Sequence, residues 1–474
     1  MARVVREHTM KVLFVYTDIN VRGGALSYQF GLGMLSAVLK RAGHATALCY
    51  IYGQYDAAPL RQKIADWQPD VVAFSGVSPQ FRYIKKLVED LAPLPAFTIY
   101  GGVHPTLDPD CLQKVRGLDS ICVGEGEFPL LELVEALRDH QSVDGIRNLH
   151  LKKADGTIVK NPTRPFHAKL DELPFPDHDL FDFQKIVDSD FNTALFMFTR
   201  GCPYNCTFCS NHALRSQQEG CYVRSRSVDN CLAEIREVAA RYRVGAFYFN
   251  DDCFTANRKW WQEFCEKYKK EFTTPFDINT RPETLNDDVC AKLKDAGCRR
   301  VSIGIENGSE SFRAKLLGRR QSNERIITAF DACRRAGIKT KSFNIVGFPF
   351  ETPEIFQETV QLNARANPDS VIIGIFEPYP GTQLAQTCLK EGWIDEQRLL
   401  DADFVGRTDT VLNMPQFPRD QIRKAYQTFA YNVYKKHSLK KALMLRIYYS
   451  DYGPLLLTLL APFRNILRKA TMGV

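Results

Sequence analysis

The 474-residue sequence has no uninterrupted run of about 18 apolar residues, so no single helix is expected to span a bilayer. It also has no apolar stretch near its start of the kind that a secretory signal peptide needs. Its 14 cysteines are too few for a disulfide-rich secreted scaffold of this length. These absences predict a cytoplasmic protein, in which a tight group of cysteines would indicate metal binding or catalysis rather than disulfide bonds.

The sequence lacks a strong excess of charge of either sign. Its 62 Lys and Arg are set against 55 Asp and Glu, and the formal net charge is +7. Because the two signs are interleaved, the charge pattern does not indicate a nucleic-acid partner, and none is expected. A content of 45% hydrophobic and 25% charged residues is typical of globular proteins, and the length predicts two or three domains.

The first part of the chain alternates strand-like and helix-like segments. Short apolar runs rich in β-branched and aromatic residues begin at Lys11 and recur as far as Val123, with stretches of helical spacing between them. This alternation predicts an α/β fold with an open, doubly wound parallel sheet, whose ligands lie beyond the carboxyl ends of the strands. We expect this domain to span residues 10–145, and a hairpin with a proline-rich linker to follow at 146–190.

Glycine-rich turns follow the predicted strands. Glycine permits close backbone approach to a ligand, so four such turns on one edge of a sheet predict a large ligand lying across that edge. No G-x-G-x-x-G fingerprint opens the first helix, and a nicotinamide cofactor is therefore not expected. The candidate ligand-binding residues of these turns are Gly24, Ser75, Gly76, Gly101, Gly102, His104, Gly124 and Glu125.

The order of these turns resembles a known domain. The segments Gly101-Gly102-Val103-His104-Pro105 and Gly124-Glu125-Gly126-Glu127 are similar to turns of the cobalamin-binding domain at the N-terminus of many radical S-adenosylmethionine (SAM) enzymes. The resemblance covers about residues 10–140 and implies cobalamin as a cofactor. The D-x-H-x-x-G motif of other cobalamin proteins is absent, since none of the nine histidines has Asp two positions before it. The resemblance therefore implies a lower cobalt face without a histidine from that motif.

Three cysteines lie on one short segment of the second half. Cys202, Cys206 and Cys209 follow a predicted buried strand, Thr193–Thr199, with the spacing C-x3-C-x2-C. Soft thiolates select zinc, copper(I) or iron–sulfur clusters, and the spacing alone leaves these alternatives open. A structural zinc site needs a fourth ligand, for which His212 is available. On an iron–sulfur cluster, three cysteines would instead leave one iron open to a cofactor.

The cysteine pattern, with Phe208 before the last cysteine, closely resembles the radical SAM signature. In that family the three cysteines hold a [4Fe-4S] cluster and SAM chelates the fourth iron. Six predicted strand–helix units match the open six-strand partial barrel of the family, whose chemistry is expected at the carboxyl ends of the strands. The resemblance thus implies a partial barrel over residues 191–395, and a helical C-terminal region is expected over 396–474.

Polar groups suited to SAM follow the predicted strands of this second domain. The ammonium of SAM needs acceptors, its carboxylate needs a cation, and its adenine needs a flat apolar platform. Similar family motifs supply these groups, although any one strand-end residue has the alternative role of capping the next helix. The candidate SAM-binding residues are Phe208, Asp252, Arg281, Glu306, Ser309 and Gly347.

The C-terminal tail is basic, aromatic and apolar. From Lys435 onward it contains eight Lys or Arg, one acid (Asp451) and the run Leu455–Leu460. This composition is typical of an interfacial helix on an anionic membrane, and equally of a helix that packs on the barrel and turns a basic face to solvent. The membrane interpretation would place the protein peripherally on the inner face of the membrane and would favour a lipid-like substrate.

Together the two resemblances cover nearly all of residues 10–400 and imply a cobalamin-dependent radical SAM enzyme. Such an enzyme cleaves SAM reductively, abstracts hydrogen from an unactivated carbon of a small-molecule substrate and most often transfers a methyl group from methylcobalamin. The electron would come from a donor such as flavodoxin or ferredoxin. Two alternatives remain open: a radical cyclase or rearrangement enzyme, with or without cobalamin, and a non-enzymatic, zinc-stabilised, membrane-associated binding protein. A methylthiotransferase acting on RNA is disfavoured, because the sequence has no second cysteine cluster and no basic RNA-binding module.

Overall fold

The computed structural model describes residues 9–19, 26–394, 407–450 and 453. The chain divides into two compact units. The first contains Ala25–Asp190 and Ser210–Arg226 together with the N-terminal strand, and the second contains Phe191–Cys209 and the chain from Ser227 onward. Gly24, Asp451 and the run Leu455–Leu460, which the sequence analysis singled out, lie outside the described residues.

The first unit is built on a seven-stranded sheet. Its strands are β1 (Lys11–Ile19), β2 (Ala45–Gly53), β3 (Val71–Ser75), β4 (Phe97–Gly101), β5 (Ser120–Cys122), β6 (Leu149–Lys152) and β7 (Ile158–Lys160). They lie in the order β2-β1-β3-β4-β5-β6-β7, and the first five are parallel. This order reverses between β1 and β3, which is where such sheets bind their ligands.

Helices flank this sheet. They are α1 (Phe30–Arg41), α2 (Ala58–Trp67), α3 (Phe81–Leu91), α4 (Val103–Leu107), α5 (Cys111–Lys114), α6 (Glu127–Arg138), α7 (Phe183–Ser189) and α8 (Ser210–Arg215), with short 3-10 turns at Ser78–Gln80, Leu170–Glu172 and His178–Leu180. Helix α3 shows why they pack: its apolar residues recur at helical spacing, so Ile84, Leu87 and Val88 all enter the core.

The hairpin predicted around Asp155-Gly156 is present, but it is part of the sheet. Strand β6 pairs antiparallel with β5, and β7 pairs antiparallel with β6. The sequence placed this hairpin in a linker, whereas the structure uses it to extend the sheet. The physical reason is that β5 would otherwise be an edge strand with unpaired backbone groups.

The second unit is built on a six-stranded, wholly parallel sheet, as the sequence predicted. Its strands are β8 (Thr193–Phe196), β11 (Ala246–Phe249), β12 (Phe276–Thr280), β13 (Cys298–Glu306), β14 (Lys339–Val346) and β15 (Ser370–Ile375), and the short strands β9 (Thr199–Arg200) and β10 (Arg224–Ser225) lie between the first two in sequence. The six lie in the order β15-β14-β13-β12-β11-β8. The sheet is a curled half-barrel, so the expected combination of an open sheet and a partial barrel is confirmed.

The helices of the second unit begin at well-formed caps. They are α9 (Val228–Arg241), α10 (Arg258–Glu271), α11 (Asp287–Asp295), α12 (Glu310–Lys315), α13 (Asn323–Arg335), α14 (Pro353–Ala366), α15 (Gln383–Lys390), α16 (Arg419–Tyr434) and α17 (Leu439–Tyr448), with a 3-10 turn at Pro282–Thr284. Ser227, Asn257 and Thr352 are examples of N-caps whose side chains accept a backbone hydrogen bond three residues on. Such caps fix where each helix starts behind its strand.

The described part of the C-terminal region is helical and packs on the second unit. Ile422 and Phe429 of α16 and Leu445 of α17 are buried in one core cluster with β14 and β15. Within the described ranges, no helix has the length and apolar character needed to cross a membrane. The described part of the tail therefore favours the interpretation of a helix packed on the barrel, and it gives no support to membrane contact.

Candidate functional site

The cysteine loop begins at the carboxyl end of the first strand of the half-barrel. Cys206 is buried, with 7% of its surface exposed, and Cys202 and Cys209 are half-buried. The amide of Cys209 donates to the carbonyl of Cys206 at 3.1 Å. Among the described residues, no three or more His, Cys, Asp or Glu side chains are gathered to hold a metal ion. The three thiols therefore lie on one loop, but they are not close enough together to ligate a single metal ion.

Thr207 anchors this loop to two distant segments. Its hydroxyl donates to the carbonyl of Leu316 at 2.6 Å and its amide to that of Leu317 at 3.3 Å. Its carbonyl accepts from the amide of Leu384, at the start of α15, at 3.2 Å. The loop is thus fixed by the second unit itself.

Phe208 lies near the turn at Gly347, so two residues predicted to bind SAM are on neighbouring segments. The ring of Phe208 lies 5.4 Å from that of Phe348, the residue after Gly347. Gly347 has a φ of 83°, a conformation that favours glycine. Buried Glu351 accepts from the amides of Gly347 and Phe348 at 2.6 and 3.2 Å and so fixes this turn. Burial raises the pKa of Glu351 to about 8.

Arg281 lies directly against a cysteine of the loop. Its Nη1 donates to Sγ of Cys206 at 3.1 Å, and its Nε donates to Glu283 at 2.6 Å. The guanidinium carbon stands 3.8 Å from the ring centre of Tyr204. Burial acts to lower the pKa of Arg281, but the neighbouring Cys206 and Glu283 outweigh burial, and the pKa is raised. The predicted SAM-binding cation is therefore already engaged on three sides.

Sequence reasoning missed a second arginine at this place. Nη1 of Arg319 lies 3.8 Å from Sγ of Cys206, and its Nη2 donates to the carbonyl of Gly304 at 2.5 Å. Arg319 follows Gly318 in a turn after α12, and the sequence has no motif there that would mark it. Only the fold brings this residue, 113 positions from Cys206, into contact with the cysteine loop.

Glu306 is a strained residue at the end of β13. Its φ of 67° is in the left-handed region, which a residue with a side chain rarely adopts, and the β13–β14 register shifts at this point. Its carboxylate lies 3.9 Å from Arg319. Burial raises the pKa of Glu306, and Arg319 opposes the shift. Strain of this kind is concentrated at functional sites, which fits the predicted role of Glu306.

Ser309 is placed as the N-cap of α12. It is buried, and its amide donates to Oδ1 of Asn307 at 2.9 Å. Its hydroxyl lies 3.4 Å from that of Ser311. The alternative of a helix-start residue therefore describes the present position of Ser309.

Two aspartates follow β11, and one is buried while the other is exposed. Asp252, the predicted SAM ligand, is exposed. Asp251 is fully buried and accepts from the amides of Phe198 and Thr199 at 2.9 and 2.6 Å. Burial raises the pKa of Asp251 to about 6. Asp251 therefore fixes the chain just before the cysteine loop, and Asp252 lies at the surface.

Cys253, the residue after Asp252, faces the protein interior. It is buried, and its Sγ lies 3.4 Å from the hydroxyl of Thr280. Burial raises the pKa of this thiol. These contacts describe a packed thiol.

In the first unit, the predicted glycine turns converge at one edge of the sheet. The amide of Gly76 donates to the carbonyl of Gly101 at 3.3 Å, and a Cβ on Gly102 would lie 2.9 Å from the carbonyl oxygen of Gly76. The amide of Gly124 donates to the hydroxyl of Thr106 at 3.0 Å. The turns after β3, β4 and β5 therefore form one surface, bordered by Ser75.

His104 is a packed residue of this surface. Its ring stacks on Phe81 with a centroid distance of 4.2 Å, and its Nδ1 lies 3.2 Å from the hydroxyl of Ser78. Burial lowers the pKa of His104 to about 4. The imidazole is therefore neutral at neutral pH and held under the turn.

Glu125, a predicted cofactor ligand, makes its hydrogen bonds to other residues of the first unit. Its two carboxylate oxygens accept from Arg224 at 2.8 and 3.0 Å, and one of them also accepts from the amide of His167 at 3.1 Å. The pair is bidentate and largely buried. Its evident effect is to tie the segment Ser210–Arg226 to the sheet edge.

Sequence reasoning also missed a carboxylate at the end of β1. The buried Asp18 accepts from the phenols of Tyr16 and Tyr50 at 3.0 and 2.5 Å. The amide of Gln29 donates to the Tyr16 oxygen at 2.7 Å. This network lies beside the switch point between β1 and β3, and no spacing in the sequence indicates it.

Two family models match the chain in the order of its two units. The B12 binding domain matches residues 17–134, and the radical SAM superfamily matches residues 196–362. These matches confirm the predicted combination of a cobalamin-binding domain followed by a radical SAM domain.

Known proteins resemble the chain over most of its length. An uncharacterized methyltransferase from Pyrococcus horikoshii is 27% identical over 470 residues, covering 93% of this chain and 99% of the relative. An anaerobic magnesium-protoporphyrin IX monomethyl ester cyclase from Rubrivivax gelatinosus is 28% identical over 397 residues, covering 80% of this chain and 70% of the cyclase. Among solved structures, a radical SAM methyltransferase from Kitasatospora setae with cobalamin and a [4Fe-4S] cluster bound shares the fold, with a TM-score of 0.65 at 16% identity over 81% of this chain and 75% of that one.

Proposed function

We propose that this chain, which belongs to the radical SAM enzymes with an N-terminal cobalamin-binding domain, is a C-methyltransferase. It would cleave SAM reductively, abstract hydrogen from an unactivated carbon and transfer to that carbon a methyl group from methylcobalamin. The substrate is a small molecule, and the electron comes from a donor such as flavodoxin or ferredoxin. The observation that carries the proposal is the anchored cysteine loop at the strand ends of a six-stranded parallel half-barrel.

The donor chemistry of the cysteine loop fits an iron–sulfur cluster. Cys206 receives N–H groups from two guanidinium side chains, Arg281 and Arg319, whose positive charge is complementary to the thiolate ligand of a cluster. Cys202, Cys206 and Cys209 would hold the [4Fe-4S] cluster. When bound, the cluster supplies the electron for SAM cleavage and an open iron that SAM chelates.

The chain's own residues would orient SAM beside this loop. The half-buried ring of Phe208, which packs on the buried ring of Phe348, would provide an apolar surface for adenine. Asp252 is exposed and can accept from the SAM ammonium. Glu306 is held beside the loop by its strained backbone and by Arg319, and offers a second acceptor.

The sheet edge of the first unit fits a large ligand such as cobalamin. Gly101 has no atom closer to its Cβ position than the Cβ of Cys122 at 3.9 Å, Gly102 is exposed, and the turns of Gly76 and Gly124 lie beside them. These residues would hold cobalamin, which supplies the methyl group when it carries one. The protein's contribution is to position the cofactor and the reacting carbon.

A radical cyclase is the second candidate, and one comparison favours it. The relative from Rubrivivax gelatinosus is named a cyclase and aligns with 80% of this chain. Methyl-labelled SAM separates the two functions. Both functions produce 5′-deoxyadenosine and methionine, but only a methyltransferase also produces S-adenosylhomocysteine, labelled methylcobalamin on the protein and a labelled product.

Replacing Cys206 with Ala tests the cluster. We expect wild-type protein purified without oxygen to contain about four irons and four sulfides, and the variant to lose both the cluster and 5′-deoxyadenosine formation. Cys221→Ala is the control, because Cys221 is an exposed cysteine outside the loop. Wild-type 5′-deoxyadenosine formation in Cys206→Ala would refute the assignment, and zinc without iron in the wild type would favour a structural loop.

A Gly101→Val variant tests the cobalamin site. A Cβ on Gly101 would meet only the Cβ of Cys122, at 3.9 Å, so the fold itself tolerates a side chain at this position. The valine side chain would instead occupy the space in which cobalamin would bind. We expect cobalt content to fall about tenfold or more at unchanged iron content, which corresponds to about 1.4 kcal/mol of binding free energy. Gly145→Val is the control, since Gly145 lies in open space away from these turns. Full cobalt in Gly101→Val would contradict the site.

A further inference from the structure

We propose that Arg281 and Arg319 form a two-guanidinium clamp on the thiolate of Cys206 and that this clamp sets the reduction potential of the cluster. The clamp assigns Arg281 to the cluster ligand rather than to the carboxylate of SAM, and it gives a role to Arg319, which no motif marks. The inference rests on the proposed function, because it concerns the cluster that Cys206 would help to hold.

The geometry places both cations on one sulfur. Nη1 of Arg281 lies 3.1 Å from Sγ of Cys206, and Nη1 of Arg319 lies 3.8 Å from the same atom. All three residues are buried. A neutral thiol is a weak acceptor, whereas a thiolate receives charge-assisted hydrogen bonds that are about twice as strong as neutral ones. Two buried guanidinium groups on one sulfur are therefore placed to donate to a cluster-bound thiolate.

Arg281 is braced so that it points at the sulfur. Its Nε is held by Oε1 of Glu283 at 2.6 Å, while Oε2 of Glu283 accepts from Gln321 at 2.9 Å. The face of the guanidinium stacks on Tyr204 at 3.8 Å. Nε and Nη1 are thus both directed to partners on the protein, which fixes the orientation of the guanidinium.

Arg319 is braced from the other side of the loop. Its Nη2 donates to the carbonyl of Gly304 in β13, and Glu306 lies 3.9 Å from its Nη1. The backbone carbonyl and the carboxylate both belong to the strand end where the register shifts. The second cation is therefore positioned by the half-barrel itself, independently of Arg281.

The clamp has a predictable electrostatic consequence. Reduction adds one electron to the cluster and increases its negative charge, which is delocalised onto the thiolate sulfurs. Positive charge and hydrogen bonds at those sulfurs stabilise the reduced state and raise the reduction potential. Removal of either arginine should make the cluster harder to reduce, even when no SAM is present.

The test is a redox titration of the full-length protein, reconstituted without oxygen and without SAM, followed by electron paramagnetic resonance. We expect Arg319→Gln and Arg281→Gln to retain iron and to shift the midpoint to more negative values by at least a tenfold change in the reduction equilibrium, which is 59 mV for one electron. Arg319→Lys, which keeps the charge, should lie between Arg319→Gln and the wild type. Arg334→Gln is the matched control, because Arg334 also donates to a backbone carbonyl, that of Ala366, but lies on α13 away from the loop.

Each outcome decides the question. Wild-type midpoints in both glutamine variants at full iron content would overturn the clamp, and so would a shift that appears only after SAM is added. If Arg319→Gln loses iron or is unstable, Arg319→Lys provides the measurement, and a wild-type midpoint there overturns the clamp. Wild-type protein that binds no iron would refute the proposed function instead.

Discussion

Gly308 shows how a single residue fixes the position of a strand end. A Cβ on Gly308 would lie 2.2 Å from the carbonyl carbon and oxygen of Glu358 and 2.3 Å from the amide nitrogen of Thr359. These are backbone atoms of α14 and cannot move aside as a flexible side chain would. The amide of Gly308 also donates to the hydroxyl of Thr359 at 2.8 Å. The close approach of β13 and α14 therefore depends on the absence of a side chain here.

We expect Gly308→Ala to lower the free energy of unfolding by about 3 kcal/mol, the upper part of the range for overpacking, because the new methyl group has no space. Denaturant titration of the purified protein measures the change. Gly31→Ala is the control: nothing lies within 4 Å of its Cβ position, so the same substitution should stabilise α1 by about 0.5 kcal/mol. Equal effects of the two variants would contradict the packing argument.

For single residues, the sequence indicated which side chains are candidates for the site better than it indicated which residues they contact. The loop of Cys206 could be found from its spacing, because covalent spacing is local. Its neighbours Arg281 and Arg319 come from segments 75 and 113 positions away, and no local pattern encodes such contacts. Glu125 is the converse case, since a glycine-rich turn made it a candidate ligand, and only the fold shows its carboxylate bound by Arg224.

At the scale of secondary-structure elements, the ion pair between Glu125 and Arg224 ties a helical segment to a sheet edge. We expect Glu125→Gln to lower the free energy of unfolding by about 3 kcal/mol, because it leaves a buried guanidinium without its charged partner. Glu132→Gln is the matched control, because Glu132 also binds an arginine, Arg164, through two hydrogen bonds but is exposed. Its cost should stay below about 1 kcal/mol.

The same pair of variants also determines the role of Glu125. Thermal unfolding and cobalt content are measured on each protein. A Glu125→Gln protein of full stability that has lost cobalt would show a ligand contact and would contradict the structural tie.

The sequence predicted most elements because their signals are periodic. The alternation of short apolar runs with helical spacing gave the strands of both sheets, and side-chain caps such as Thr352 mark where helices begin. The hairpin β6–β7 was also recognised from its turn. Its pairing with β5 was not, because an antiparallel edge pairing depends on which strand is left uncovered in the folded sheet.

For the whole molecule, two buried carboxyl groups predict how stability depends on pH. Burial raises the pKa of Asp251 to about 6 and that of Glu351 to about 8, above their ordinary values of 3.8 and 4.5. Each group binds its proton more tightly when folded. The stabilisation is therefore complete below pH 4 and is lost as the pH rises through 6 and then 8.

We expect the free energy of unfolding to fall across this window by up to about 1.4 kcal/mol per pH unit for each group that is protonated only in the folded state. Denaturant titrations from pH 4 to 9 measure the slope. In the double variant Asp251→Asn, Glu351→Gln the slope should be flatter, because neither side chain can ionise. An identical slope in both proteins would show that these carboxyl groups do not govern it.

The overall architecture was predictable because the two domains carry independent signals, glycine turns in one and cysteine spacing in the other. The position of the C-terminal tail could not be predicted, because its composition suits both a membrane surface and a protein surface. In the described residues, Leu445 of α17 is buried in the core of the second unit, a contact that composition cannot reveal.

The anchoring of the cysteine loop through Thr207 has a consequence for how the protein is made in the cell. One anchor lies near residue 317 and the other at Leu384, so the loop cannot reach its final position while the later strands are still being synthesised. The ribosome must deliver almost the whole half-barrel before the thiols are in place. Cluster delivery is therefore a late event, and a truncated translation product that ends before Leu384 would be a poor acceptor for the iron–sulfur assembly machinery.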